Sequence, residues 1–338
     1  MKSSRIVLVS RPVGMPEPEN FRIETVELPE PDTGQALLET LYLSLDPYMR
    51  GRMSDAPSYA PPVQLGQPMV GATVSRVLES HDTAVQSGDI VLSYGGWQTH
   101  SVEPVRYLRR LDPAAAPVST ALGVLGMPGF TAYSGLLTIG RPQPGETVVV
   151  AAATGPVGSA VGQIAKIKGA KAIGIAGGPR KVALLRDHFG FDAALDHRAP
   201  DFADQLAAAT PDGIDVYFEN VGGAVFDAVF PRLNSFARIP VCGLIADYNA
   251  TGLPAGPDRL GLLMSAVLRK SLTVRGFIQS EFAGEQMPAF LEQMSQWIAR
   301  DQVHYLEDVV EGFDGAIEAF RGLLVGANLG KLVVHVAD

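Results

Sequence analysis

The sequence predicts an α/β protein of two domains, a doubly wound parallel sheet joined to an antiparallel β domain, and three observations predict it. From about residue 120 onward, strand-like apolar runs alternate six times with helical segments, the rhythm of a parallel sheet covered on both faces. Before residue 110 the apolar runs are short, alternate in polarity and are broken by Pro, Gly, Asn and Asp, as antiparallel strands are. The 338-residue length exceeds one ordinary core, and 46% hydrophobic against 19% charged residues is a globular balance.

Taken in order, strands are expected at 6–9, 21–28, 35–45, 70–78 and 89–94, with alternation clearest at Phe21, Ile23 and Thr25. An Ala-Pro patch at 112–117 reads as a connector. Residues 122–137 have helix-compatible spacing, interrupted by Gly-Met-Pro-Gly at 126–129. A strand at 148–152 is uncharged and rich in valine, which suits burial on both faces. Helical spacing follows it over 163–168. Further strands are expected at 172–176, 193–196, 213–219, 237–242 and 272–277, with helices at 181–189, 201–208, 225–231 and 260–269 and a long loop ending near 257. A helix at 281–300 offers Phe282, Phe290, Met294 and Trp297 to a core. The tail at 329–336 ends as a strand, most economically placed back in the first domain. The expected division is therefore 1–120, 121–300, and a return at 301–338.

The chain is organised around the stretch 146–163, ETVVVAAATGPVGSAVGQ. A strand, a glycine turn and a helix in that order make a diphosphate seat: glycine lets the backbone approach the oxygens, and the helix start offers unpaired N–H groups. The turn is Gly155-Pro156-Val157-Gly158, with Ala153 where the dinucleotide fingerprint has its first glycine. The second strand then ends Ile175-Ala176-Gly177-Gly178-Pro179-Arg180-Lys181, without the carboxylate that would hold an adenine ribose 2′-hydroxyl. Arg180 and Lys181 stand where a 2′-phosphate needs cations, so the cofactor reads as NADPH rather than NADH. The plainer reading of the two cations is a solvated first helical turn.

Net charge is −9 and the 27 Lys and Arg residues are scattered, which leaves no electrostatic footprint for nucleic acid. No apolar run approaches the roughly 18 residues of a membrane span. With Cys242 as the one cysteine, neither an intrachain disulfide nor a multi-cysteine metal site can form, which favours a reducing compartment, the cytoplasm. The six histidines lack short metal-ligand spacing, and no tyrosine has lysine four residues on. A hydride donor beside hydroxyl donors remains. Hydride addition to the far carbon of an activated double bond places charge on the conjugated oxygen, which a tyrosine can stabilise.

Several motifs spread over nearly the whole chain carry a family resemblance: Leu45-Asp46-Pro47-Tyr48-Met49-Arg50, Gly95-Gly96-Trp97-Gln98, the segment from Leu125 to Tyr133, the glycine turn through Gln163, Tyr217-Phe218-Glu219-Asn220-Val221-Gly222-Gly223, Cys242-Gly243 through Tyr248-Asn249, Arg275-Gly276-Phe277, and the segment from Gly326 to Lys331. The chain resembles the zinc-free medium-chain dehydrogenase/reductases, in particular the prostaglandin reductases, plant alkenal double-bond reductases and bacterial curcumin reductases. The resemblance implies a GroES-like β-barrel domain formed by both chain ends, an inserted Rossmann domain, and a cleft between them. It implies metal-free, NADPH-dependent reduction of the C=C bond of a small enone or enal. Quinone reduction, and cofactor binding without turnover, are the alternatives.

By the same resemblance Tyr48 and Tyr248 face the substrate carbonyl. Asn220, Gly243, Phe277 and Thr131 lie near the cofactor, Asn328 returns to it from the C-terminal segment, and Lys181 meets the 2′-phosphate. Each has a structural competitor: Tyr48 as a packed turn aromatic, Asn220 as a helix cap, Asn328 as a left-handed turn residue and Cys242 as a small buried residue. Two departures from the family pattern stand out. Gly178 replaces a serine of the phosphate pocket, with Arg180 able to compensate. Asp196-His197-Arg198 stands where tyrosine is usual, and His197 can make cofactor affinity depend on pH. The edge strand at 271–277 and the family habit imply a homodimer.

Overall fold

Short alternating runs set down the first strands in a computed structural model that describes residues 1–253 and 257–338. They are β1 (Lys2–Leu8), β2 (Phe21–Glu27), β3 (Gln35–Ser44), then a five-residue helix α1 (Tyr48–Arg52), β4 (Thr73–Ser80), β5 (Ile90–Ser93), β6 (His100–Pro104) and β7 (Arg109–Leu111). β6 and β7 lie outside the expected strands; they are short and only partly apolar, and their partners define them. β1 and β2 pair with each other over seven residues, antiparallel.

The chain then builds a second compact unit, Val124–Leu306, from α2 (Met127–Ser134), β8 (Thr147–Val150), α3 (Pro156–Ile167), β9 (Lys171–Ala176), α4 (Pro179–Asp187), β10 (Ala193–Asp196), α5 (Phe202–Ala209), β11 (Ile214–Phe218), α6 (Gly223–Val229), β12 (Leu233–Val241), α7 (Leu260–Lys270), β13 (Thr273–Gly276) and α8 (Ser280–Ala299). Its six strands are parallel in the order β10-β9-β8-β11-β12-β13, a doubly wound sheet. The uncharged run of β8 is buried throughout: Val148 and Val150 join one core cluster and Val149 the other, so both faces are covered by helices. Burying one such side chain fully is worth roughly 1.5–3 kcal/mol. The chain order reverses between β8 and β11, and in such sheets ligands bind at the strand ends beside that reversal.

The sequence expectation differs from the fold at two helices. Gly-Met-Pro-Gly at 126–129 does not interrupt a helix but begins α2, because Pro128 falls in the first turn, where its missing N–H is not needed. A π-helical segment, Gly135–Gly140, continues α2. Helix α3 starts at Pro156, seven residues before its apolar spacing becomes evident, and takes Gly158 and Gly162 inside itself. Helix α8 buries Phe290, Met294 and Trp297, while Phe282 packs half-buried at the core edge. Of the expected loop at 243–257, residues 254–256 lie outside the described residues.

The first unit, Met1–Gly123, is completed by Glu307–Asp338, which forms β14 (Glu307–Glu311), α9 (Ala316–Leu324) and β15 (Lys331–His335). The Ala-Pro patch at 112–117 runs inside this unit. Its main sheet has the order β14-β15-β3-β4-β5-β7, and the long strand β3 shares one edge between two partners, β6 at residues 35–39 and β15 at residues 42–44. The core of this unit stacks Phe21 on Trp97, with Phe320 from α9 meeting Trp97 edge-on at 5.5 Å.

Candidate active site

Three turns meet the carboxyl ends of β8, β9, β11 and β12. The first follows β8. Ala151 and Ala153 donate to Phe218 and Ile175 of the flanking strands, and Ala152 between them adopts a left-handed φ of 49°. Gly155 caps α3, Pro156 opens it, and the amides of Val157 and Gly158 follow in the first turn, ahead of the bond from Ser159 to the Gly155 carbonyl. A Cβ at position 158 would lie 2.5 Å from the Ala152 carbonyl oxygen, so only glycine lets the helix press this closely on the turn. The result is a cradle of outward-facing amides at a positive helix end.

The second turn follows β9. Gly178 has a φ of 91° and caps α4, in whose first turn Arg180 is exposed and Lys181 half-buried. An acid does stand nearby, at the end of β10, but Asp196 Oδ1 already accepts the amides of Gly178 and Arg198 at 2.9 Å each. Two further side chains lie over the floor of this turn. A Cβ at Gly177 would sit 2.9 Å from both Arg198 Nε and His197 Nε2. Arg198 is a residue that the strand-end reading passed over, because it comes from the third strand and not from the helix after the second. Desolvation, then the Arg198 charge, hold the His197 imidazole below its ordinary range, with Asp196 opposing and Lys181 adding to the effect. Lys181 and Arg198 supply positive charge at this corner and His197 a further donor, while Asp196 has one oxygen engaged by two backbone amides, an arrangement that suits a phosphate dianion.

The third group follows β11 and β12. Asn220 does not cap α6, which starts after Gly222; its Nδ2 donates to the Ala151 carbonyl at 2.8 Å and ties this loop to the diphosphate turn. Tyr248 sits half-buried after a 3-10 turn, Ile245–Asp247. Its hydroxyl would be 3.0 Å from a Cβ at Gly243, so glycine there leaves it room. Thr131, buried in α2, donates its hydroxyl to the Met127 carbonyl at 2.8 Å. The Phe277 ring is core, meeting Phe218 edge-on, and its amide donates to the Val241 carbonyl at 3.4 Å. Cys242 is partly buried, and burial with the neighbouring Glu219 pushes its thiol up to about 12, so it is no nucleophile at neutral pH.

Tyr48 and Asn328 belong to the first unit. Tyr48 opens α1 and is half-buried against the core. Burial, then the Asp46 carboxylate, raise its hydroxyl far above the usual phenol range, so it stays a hydrogen-bond donor. Behind it lies a buried ion pair absent from the sequence reading: Lys331 Nζ contacts Asp46 Oδ1 at 2.7 Å and the Leu45 carbonyl at 2.8 Å, and Ser44 bonds the other Asp46 oxygen. Asn328 is not left-handed; Gly326 and Gly330 beside it are, and its Nδ2 donates to the Gly330 carbonyl at 2.8 Å. Among the described residues no three His, Cys, Asp or Glu side chains stand together as metal ligands.

The cradle at Gly158 and the cationic corner at Gly177 fit a dinucleotide bearing a 2′-phosphate. Comparison with known proteins agrees with that fit. Residues 4–111 match a family described as the N-terminal domain of oxidoreductase, and residues 156–297 one described as zinc-binding dehydrogenase. The chain is 56% identical over 336 residues to the NADPH-dependent curcumin reductase of Escherichia coli (strain K12), covering 99% of this chain and 97% of that one. It is 38% identical over 347 residues to an NADP(+)-dependent 2-alkenal reductase of Nicotiana tabacum, covering 100% and 98%. Among solved structures, CurA from Vibrio vulnificus in complex with NADPH superposes with a TM-score of 0.96 at 52% identity, covering 99% of both chains.

Proposed function

The chain belongs to the medium-chain dehydrogenase/reductase superfamily, and from that premise we infer that it is an NADPH-dependent reductase of the C=C bond of α,β-unsaturated ketones and aldehydes. The observation that carries the cofactor half of this reading is the pairing of an amide cradle at Val157 and Gly158 with the Lys181, His197 and Arg198 corner. In this reading the unit Val124–Leu306 binds the cofactor, with Gly155, Pro156, Val157 and Gly158 at the diphosphate, and Gly178, Arg180, Lys181, His197 and Arg198 at the 2′-phosphate. Thr131, Asn220, Gly243 and Phe277 serve the nicotinamide side, and Asn328 also serves the cofactor.

When bound, NADPH supplies a hydride to the β-carbon of the enone. The protein's own contribution is electrostatic. Tyr48 and Tyr248 donate hydrogen bonds to the conjugated oxygen as it gains negative charge, and a donor that is desolvated stabilises that charge more strongly than water does. Tyr48 suits this because it is half-buried against the core, where its hydroxyl stays protonated and is shielded from water. The α-carbon then takes a proton from a tyrosine or from water. No step calls on a metal, and a single cysteine could not furnish the two-cysteine catalytic site of the zinc enzymes.

The reading extends to a homodimer in the cytoplasm. β13 is the outer strand of its sheet with all four residues exposed, and α7 leaves Leu260, Leu262, Met264 and Leu268 exposed beside it. An open edge flanked by apolar side chains supports pairing with a second copy. Among the described residues no helix is long and apolar enough to cross a membrane.

The test is NADPH oxidation with a simple alkenal, an aryl enone and a benzoquinone, with the product identified by mass spectrometry. A saturated carbonyl product is expected; turnover of the quinone alone would reject the reading. Tyr48→Phe and Tyr248→Phe should each lower kcat about tenfold or more while leaving NADPH affinity within about twofold. Wild-type rates in both variants would remove the tyrosines from the mechanism.

A further inference from the structure

At the ends of β11 and β12 one residue makes more contacts than its place in the chain suggests. Glu219 is 2% exposed. Its Oε1 accepts from the amides of Val221 and Gly222 at 2.7 and 2.9 Å and from the Tyr217 hydroxyl at 3.0 Å. Its carbonyl accepts from the amides of Cys242 and Gly243 at 2.9 and 3.2 Å, and its own amide donates to Pro240. The side chain therefore shapes the turn after β11, and the main chain of the same residue shapes the turn after β12.

Those two turns are also bonded to each other. Ile245 donates to the Asn220 carbonyl at 3.2 Å and Ala246 to that of Val221 at 3.0 Å. They pack without a gap: a Cβ at Gly222 would meet Leu244 at 3.2 Å and Asp247 at 3.4 Å, and one at Gly223 would meet Ala246 at 3.5 Å. Tyr248 leaves this packed pair directly, its hydroxyl over Gly243. We propose that Glu219 is a positioning residue, which locks the turns 220–223 and 242–247 together and so fixes where the Tyr248 hydroxyl stands. The proposal rests on the reading of Tyr248 as a donor to the substrate oxygen.

The other carboxyl oxygen sharpens the chemistry. Oε2 is buried with no hydrogen-bond partner among the described residues. An ionised carboxylate with one bare buried oxygen is costly, whereas a neutral acid can use Oε1 as its acceptor and leave the hydroxyl weakly engaged. Burial acts in that direction on the Glu219 carboxyl, against the hydrogen bonds it accepts. Glutamine should then replace it, because its amide oxygen can accept the same three donors without a charge.

The experiment compares Glu219→Gln, Glu219→Asp and Glu219→Ala in the full chain, by amide hydrogen exchange without cofactor and by steady-state kinetics with NADPH and an enone. In the Ala and Asp variants, exchange over 220–223 and over 243–249 should accelerate together by about tenfold or more, as local opening becomes easier. kcat should fall by about as much, with a smaller change in the KM for the enone. The Gln variant should keep protection of both segments and stay within about threefold of wild-type kcat from pH 6 to 9. Should Ala fail to fold, Asp carries the same test, since one methylene less cannot reach both amides. Unchanged exchange over 243–249 in Ala or Asp would overturn the proposal, as would a Gln variant as impaired as they are. Failure of the underlying reading looks different: Tyr248→Phe would turn over at the wild-type rate while Glu219→Ala still loosened both turns.

Discussion

Arg198 and His197 close over Gly177 from the third strand of the sheet, and their position carries a prediction about cofactor choice. Arg198→Ala and Lys181→Ala should each weaken NADPH by about tenfold, as loss of a charge-assisted contact to phosphate does, while NADH affinity changes little. Fluorescence titration with both reduced cofactors checks this, and equal losses for the two would remove the residues from the phosphate site. His197 adds a pH dependence. Its imidazole is held below the ordinary range in the free protein, and a bound phosphate dianion favours the protonated ring. Binding therefore takes up a proton, and NADPH affinity should rise as pH falls from 8 to 6, with NADH as the flat control and His197→Gln abolishing the trend. Affinity that is constant over this range would contradict it. Gly158→Ala tests the cradle itself, because a methyl would meet the Ala152 carbonyl oxygen at 2.5 Å, a backbone atom that cannot rotate away. Strain of this kind costs about 1–3 kcal/mol. It should appear as a lower urea midpoint together with weaker NADPH binding.

At the scale of elements, the turn that carries Tyr48 is held by strand β15. Lys331 is 2% exposed, and Asp46 with the Leu45 carbonyl takes its ammonium two to three residues before Tyr48. Burial lowers the lysine, but the Asp46 partner opposes that effect, and Glu307, paired with it across β14 and β15, adds a second acid. Lys331→Met would strand Asp46 without its cation, and breaking such a pair on one side costs about 3–5 kcal/mol. Asp46→Asn combined with Lys331→Met should recover much of that loss, because Asp46 is then no longer a buried charge without its cation, and Glu307 keeps its hydrogen bond from Ser119. Equilibrium unfolding in urea of the two single variants and the double variant gives the coupling; additive losses would mean that the two groups do not act as a pair. The sequence offered little to find this by. Lysine at the head of an apolar strand reads as a solvated strand end, and its partner is 285 residues away. The same limit applies at α2, where the Pro-Gly pair looked like a break until Pro128 was placed in a first turn.

For the whole molecule, the exposed edge of β13 and the apolar residues of α7 give a dimer prediction that light scattering checks. A mass of twice the chain is expected, and Leu268→Asp with Val274→Lys should shift it toward the monomer; a monomeric wild-type chain would overturn the assignment. The parallel sheet was legible because its central strands β8 and β9 are largely apolar runs each followed by a helix, and the same strand-then-helix rhythm recurs after them, a signal contained within about thirty residues per unit. The diphosphate turn was legible for the same reason: strand, Gly155, Pro156, Gly158 and helix are consecutive, and the chemistry of an amide cradle needs nothing from elsewhere. The missing acid at Gly177 and the cations after it pointed to the cofactor from one short stretch. The tertiary structure alone decided what depends on distant residues: that Asp196 is occupied by backbone amides, that Arg198 reaches the turn after β9, that Asn220 bonds Ala151 and caps no helix, and that Glu219 joins two turns. Periodicity and turn chemistry are local and survive in one dimension. The partner of a buried polar group is chosen by the fold, which brings together side chains whose spacing in sequence carries no trace of the contact.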